Sequence, residues 1–228
     1  MSNAFDPLGL SPELCTVLGE VGYTEPTPVQ VESIPILLAG GDLIGQSRTG
    51  SGKTAAFALP ILQRIRLEPR IPQALVLCPT RELSAQVARV MRTLGRRHPG
   101  LAVLEIVGGQ RARVQVDALQ RGVHIVVGTP GRVLDLLERG AFDPGTLATV
   151  VVDEADRMLD MGFGPDVEAI LGTTPRTRQT VMFSATLPDS ILSLSRSYQR
   201  SARRVHIEEP AEILPGIREQ YLVVAPED

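Results

Sequence analysis

A chain of 228 residues, 43% of them apolar, has enough hydrophobic material for one α/β domain or two small ones. Its net charge of −3 argues against a domain dominated by a basic nucleic-acid stripe, although it leaves room for a local patch. No apolar run approaches the roughly 18 residues of a membrane span, and two cysteines with three scattered histidines form no structural zinc pattern.

From the amino terminus, residues 1–10 have neither a basic flank nor an apolar stretch of signal-peptide length. Cys15 and Cys78 are too few to staple a domain, so a reduced, cytoplasmic setting is expected. Residues 1–40 read as a helical extension that carries a proline-punctuated segment from Gly22 to Gln30. Strands are expected at residues 42–45, 74–78, 103–107, 124–127, 149–152, 180–183 and 204–207. Most are β-branched-rich and apolar on successive residues, the pattern of strands buried on both faces. Helices are expected at residues 54–66, 81–97, 111–121, 132–138, 166–171 and 189–199. Alternation repeated this often predicts an α/β domain over residues 41–208, with a mostly parallel, doubly wound sheet and helices on both faces. Functional loops then belong at the carboxyl ends of the strands. Residues 209–228 read as an acidic, proline-broken linker followed by the first strand of a second domain.

The segment Ser47, Arg48, Thr49, Gly50, Ser51, Gly52, Lys53, Thr54 follows one expected strand and opens an expected helix, the context a phosphate-binding P-loop requires. Glycines let backbone N–H groups wrap phosphates, and the helix N-terminus adds partial positive charge. Lys53 would reach the β- and γ-phosphates of ATP, and the Thr54 hydroxyl would ligate Mg²⁺. All but one of the 23 basic residues are arginine, and the one lysine is Lys53. A compact ammonium is needed there, and a guanidinium fork does not replace it. Ser47 stands where the standard pattern has glycine. The plainer reading of the segment is a glycine-rich turn that caps a helix.

A P-loop needs a carboxylate for magnesium, usually at the end of an apolar strand. Asp153, Glu154 and Asp156 follow the apolar run at residues 150–152. Asp153 would hold hydrated Mg²⁺ and Glu154 would orient or deprotonate the attacking water. N-capping carboxylates at a strand-to-helix turn are the plainer alternative.

Asp153, Glu154, Ala155 and Asp156 spell the motif that names the DEAD-box ATP-dependent RNA helicases, and the chain resembles the N-terminal RecA-like domain of that family over nearly its whole length. Further motifs follow in the family's order. Gly22 to Gln30, with Phe5 upstream, resembles the Q motif; Pro79, Thr80 and Arg81 open a motif Ia; Gly108 and Gly109 match the glycine doublet. Thr129, Pro130, Gly131 and Arg132 resemble motif Ib, and Ser184 to Thr186 resembles motif III. Residues 160–163 match the segment that follows the Asp-Glu-Ala-Asp motif.

The resemblance implies roles. Gln30 would read adenine through its amide, and Phe5 would stack on the base, although both also suit helix capping and packing. Ser184 and Thr186 would bond Asp156 and link nucleotide state to domain closure. Pro79, Thr80, Arg81, Gly108, Gly109, Thr129, Pro130, Gly131 and Arg132 would contact the RNA backbone, independently of base sequence. Ordinary turn and capping chemistry is the alternative for each of them alone. The family closes two RecA-like domains over ATP and RNA, and the second supplies an arginine finger. Its His-Arg-Ile-Gly-Arg pattern is absent from these residues, so slow hydrolysis, weak RNA binding and a monomeric state are expected. A DNA-directed superfamily 2 helicase or translocase, or a non-catalytic nucleotide-dependent clamp, stays open as an alternative.

Overall fold

The computed structural model describes residues 4–48 and 50–207. The chain opens with helices α1 (Pro12–Glu20) and α2 (Pro28–Leu38), each entered through proline. Ser11 caps α1 by accepting the Leu14 N–H, and Gln30 Oε1 holds the start of α2 by accepting the Thr27 N–H. Strand β1 (Leu43–Gln46), helix α3 (Lys53–Arg64), β2 (Ala74–Leu77), α4 (Arg81–Leu94) and β3 (Val103–Ile106) follow. Then come α5 (Ala112–Gln120), β4 (Ile125–Gly128), α6 (Pro130–Glu138), β5 (Thr149–Val152) and α7 (Ala155–Asp160). The described part closes with α8 (Gly164–Thr173), β6 (Gln179–Ser184), α9 (Asp189–Tyr198) and β7 (Arg203–His206).

The strands form one seven-stranded sheet in the order β3-β4-β2-β5-β6-β1-β7, and every neighbouring pair is parallel. Alternate side chains of each strand enter different halves of the core. Leu43, Val76, Val127, Val151, Val181 and Phe183 pack with α1 to α4. Ile44, Leu75, Leu77, Val150, Val152 and Met182 pack with α5 to α9. Two-sided burial is why these strands read as unbroken apolar runs. The expected mostly parallel sheet is thus wholly parallel, with a helical layer on each face.

The described part of the amino-terminal extension belongs to the first layer: Leu14, Leu18, Val29 and Ile34 share a core cluster with α3 and α4. Glu20 near the end of α1 also pairs with Arg96 and Arg97 just beyond α4. Three details depart from the sequence expectation. Helix α7 was not foreseen, because its six residues are too short to show an apolar period. Helix α6 begins at Pro130 rather than at residue 132, since proline suits the first helical position. His124 lies just before β4 and is fully buried. Its Nδ1 accepts the Ala102 N–H at 3.0 Å, and Nε2 donates to the Leu67 carbonyl at 2.9 Å. The expected strand at residues 217–224 and the preceding linker lie outside the described residues.

Candidate active site

Strand β1 ends in the glycine-rich loop, and α3 starts at Lys53 immediately after it. Gly50 and Gly52 take positive φ of 88° and 95°. Gly52 has no room for a side chain: an added Cβ would lie 2.6 Å from Gln30 Nε2 and 2.8 Å from Thr27 Oγ1. Ser51 Oγ donates to Ser47 Oγ at 3.1 Å, and Lys53 Nζ donates to the Ser47 carbonyl at 3.4 Å. Ser47 therefore ties the loop together where glycine is usual. Arg48 is exposed and Thr54 half-buried on the first turn of α3; Thr49 lies outside the described residues.

Strand β5 delivers the acidic motif to the same edge. Asp153 Oδ1 lies 4.0 Å from Lys53 Nζ, and both side chains are buried. That oxygen has no hydrogen-bond partner among the described residues. Burial raises the Asp153 pKa to about 6; Lys53 opposes the rise, and the neighbouring Glu154 and Asp156 charges add to it. Glu154 adopts a left-handed backbone, φ 55° and ψ 53°, as the N-cap of α7. A non-glycine residue held there costs on the order of 1–3 kcal/mol, a strain that concentrates at functional turns. Its carboxylate is 3.3 Å from Arg157 Nη1. Cys78, next to this cluster, is a buried thiol whose pKa is pushed well up by burial and by the Asp153 charge.

Asp156 joins α7 to the end of β6. Its Oδ2 accepts the Ala185 N–H at 3.1 Å, the Thr186 N–H at 2.9 Å and the Thr186 hydroxyl at 2.9 Å. Its own N–H donates to Ser184 Oγ at 3.2 Å. Burial would raise its pKa, but the Thr186, Arg157 and Ser184 bonds outweigh that and hold it below the ordinary carboxylate value.

Gln30 reaches the loop from α2. Its Oε1 accepts the Thr27 N–H at 3.0 Å and its Nε2 donates to the Gly52 carbonyl at 3.1 Å. The amide is buried, bracing the P-loop against the extension. Phe5 has no exposed surface and meets Tyr23 edge-on at 6.5 Å between ring centroids. In this arrangement the ring packs the extension down, and stacking on adenine would require it to leave the core.

A second group lies where β2, β3 and β4 end. Of the residues expected at the RNA rim, all but Gly109 and Pro130 line one groove of about 600 Å³: Pro79, Thr80, Arg81, Gly108, Thr129, Gly131 and Arg132. Pro130 is buried in the first turn of α6. Gly109 borders an adjoining groove with Arg81 and Gly108. Its φ is 81°, and an added Cβ would sit 2.1 Å from Arg81 Nη1, so the guanidinium packs directly on the glycine doublet. Thr80 caps α4 through Leu83 N–H, whereas Thr129 makes no side-chain cap bond to α6. Sequence reasoning missed the acidic and apolar parts of the wall: Glu82, Asp135, Met161 and Phe163 also line it. Met161 is 49% exposed, a large apolar side chain set in a polar groove. The match of residues 160–163 to a family segment was the available signal, without a role attached.

A fully parallel sheet, a glycine loop opening onto a helix and an acidic strand end beside its lysine define a P-loop domain of RecA-like fold. The comparisons narrow the class. The DEAD/DEAH box helicase family model matches residues 27–194, and the chain belongs to that family. It is 46% identical over 220 residues to the ATP-dependent RNA helicase DeaD of Escherichia coli (strain K12), which covers 96% of this chain and 35% of the relative. Against the protein of the same name from Mycobacterium tuberculosis (strain CDC 1551 / Oshkosh), identity is 45%, covering 97% of this chain and 39% of the relative. The chain thus spans little more than a third of these curated relatives. The crystal structure of a DEAD box protein from the hyperthermophile Methanococcus jannaschii superposes with a TM-score of 0.87 at 37% identity, covering 91% of this chain and 56% of that one.

Proposed function

We propose that this chain is the ATP- and RNA-backbone-binding half of an ATP-dependent RNA helicase, acting together with a second RecA-like domain. The observation that carries the reading is the pairing of Lys53 with a buried, unpartnered Asp153 oxygen beside the glycine loop. A buried carboxylate oxygen without a donor is costly unless something cationic completes it. The donor set fits hydrated Mg²⁺, held through Asp153 and the Thr54 hydroxyl. When bound, that ion supplies charge neutralisation between the β- and γ-phosphate oxygens.

In this proposal Lys53 neutralises the terminal phosphates, and N–H groups of the loop from Ser47 to Thr54 wrap them. Glu154 accepts the proton of the attacking water or orients it. Gln30 keeps one N–H and one lone pair after bonding Gly52 and Thr27, enough for adenine's N7 and N6 amine once the buried amide is uncovered. Asp156, braced by Ser184 and Thr186, links the β- and γ-phosphate side to the segment after β6. Arg81 and Arg132 contact backbone phosphates, without base readout. Among the described residues no helix is long and apolar enough to cross a membrane. A cytoplasmic monomer that pairs with its second domain is part of the proposal.

The chain alone should bind nucleotide and turn it over very slowly, since an arginine finger contributes roughly 10³–10⁵ in rate. The test is fluorescent-ATP binding in Mg²⁺ with the chain and with Lys53→Ala. Binding lost in the variant supports the reading; equal binding overturns it. Competition between single-stranded RNA and DNA on the same chain separates an RNA from a DNA helicase.

A further inference from the structure

Behind Arg132, a wall residue of the groove, lies a buried amide that phosphate chemistry alone does not explain. Gln115 sits on α5, three residues into the helix and 1% exposed. Its Nε2 donates to the Val107 carbonyl at 2.9 Å and lies 3.4 Å from Gln110 Oε1. Its Oε1 accepts from Arg132 Nη1 at 3.4 Å. The same Nη1 donates to the Gln110 carbonyl at 2.9 Å, and Arg132 Nε stands 3.7 Å from Asp135 Oδ2. One side chain therefore ties the loop bearing Gly108 and Gly109 to the first turn of α6.

Burying an amide is unfavourable against an apolar residue of equal size unless its geometry is used. Here it divides the guanidinium. Nη1 is committed inward to Gln110 and Gln115, and Nε faces Asp135. Among the described residues Nη2 makes no hydrogen bond, although Arg132 lines the groove. With Nη1 and Nε both engaged, the planar guanidinium is held in place and Nη2 is left for a further acceptor.

We infer that Gln115 is a positioning residue for RNA-backbone binding: it holds Arg132 so that Nη2 faces a phosphate, and it keeps the glycine-doublet loop at a set distance from Arg132. This inference rests on the RNA reading of the groove. It goes beyond the motif residues, because Gln115 touches no ligand itself.

The test is fluorescence anisotropy of labelled single-stranded RNA with the chain across a salt series, for Arg132→Ala, Gln115→Met and the double variant. If Gln115 acts through Arg132, Gln115→Met weakens binding about tenfold, the scale of one charge-assisted bond. It also flattens the slope of log affinity against log salt by about 0.7, one phosphate on a single strand. Arg132→Ala shows the same slope change, and the double variant is no worse than Arg132→Ala. Fluorescent-ATP affinity stays unchanged, which general unfolding would not allow. Should Gln115→Met fail to fold, Gln115→Leu takes its place, with the same expected loss of slope and the same unchanged ATP affinity. An unchanged slope in the folded variant, or additive losses in the double variant, overturns the inference. An unchanged affinity and slope in Arg132→Ala instead overturns the RNA reading of the groove.

Discussion

Titrating Asp153 should leave a stability signature that can be worked out from the site. Burial raises its folded-state pKa from 3.8 to about 6. That difference corresponds to about 3 kcal/mol. The sign follows from linkage: a carboxyl whose pKa is higher in the folded state binds its proton more tightly there. Its contribution is fully present below about pH 4 and is lost as pH rises through about 6. Other carboxylates work the opposite way; Asp156 and Glu20 have lowered values and favour the folded state as pH rises. The comparison must therefore be between the chain and Asp153→Asn, which keeps every other group. Urea unfolding at half-unit steps from pH 4 to pH 7.5, without nucleotide, measures it. The stability of the chain relative to the variant should fall by about 2 kcal/mol across that range, most steeply between pH 4 and 6. Mg²⁺-nucleotide favours the charged carboxylate, so its affinity for the chain should drop towards tenfold per pH unit below about pH 6. A stability difference flat to within about 0.5 kcal/mol over the range would refute the burial-raised pKa of Asp153.

Three further outcomes are expected. Asp156→Ala leaves the solvent-accessible Ala185 and Thr186 N–H groups without their acceptor, which should destabilise the chain by about 1 kcal/mol; calorimetry should also show the loss narrowing as pH falls through the lowered Asp156 pKa. Gly109→Ala places a Cβ against Arg81 in a positive-φ turn, costing about 1 kcal/mol or more, and RNA anisotropy should show weaker binding with ATP affinity intact. Glu154→Gln, in the chain joined to the second RecA-like domain proposed for it, should abolish phosphate release while fluorescent-ATP binding persists; unchanged turnover would remove Glu154 as the base.

The P-loop, the acidic motif and the seven strands were legible in the sequence because each is a local pattern. Parallel strands buried on both faces, such as Thr149–Val152, announce themselves as apolar runs. A glycine loop between a strand and a helix is defined by consecutive residues. The placing of Arg81 and Arg132 on one rim also followed from topology, since loops after successive parallel strands share an edge.

What only the tertiary structure decided depends on contacts between distant residues and on burial. Gln30 is committed to Gly52, 22 residues away, and Phe5 lies wholly in the core rather than open to a base. Nothing in the chemistry of glutamine or phenylalanine separates these states from ligand contact, because either side chain serves both. Asp153 could be named as a carboxylate at a strand end, but its unpartnered oxygen follows from the packing of β2, β5 and α3 around it. Gln115 gave no signal in the chain, standing amid an ordinary amphipathic helix. Its meaning comes from Val107 and Arg132 arriving on either side of it, which only the stacking of α5 and α6 beside β3 and β4 brings about.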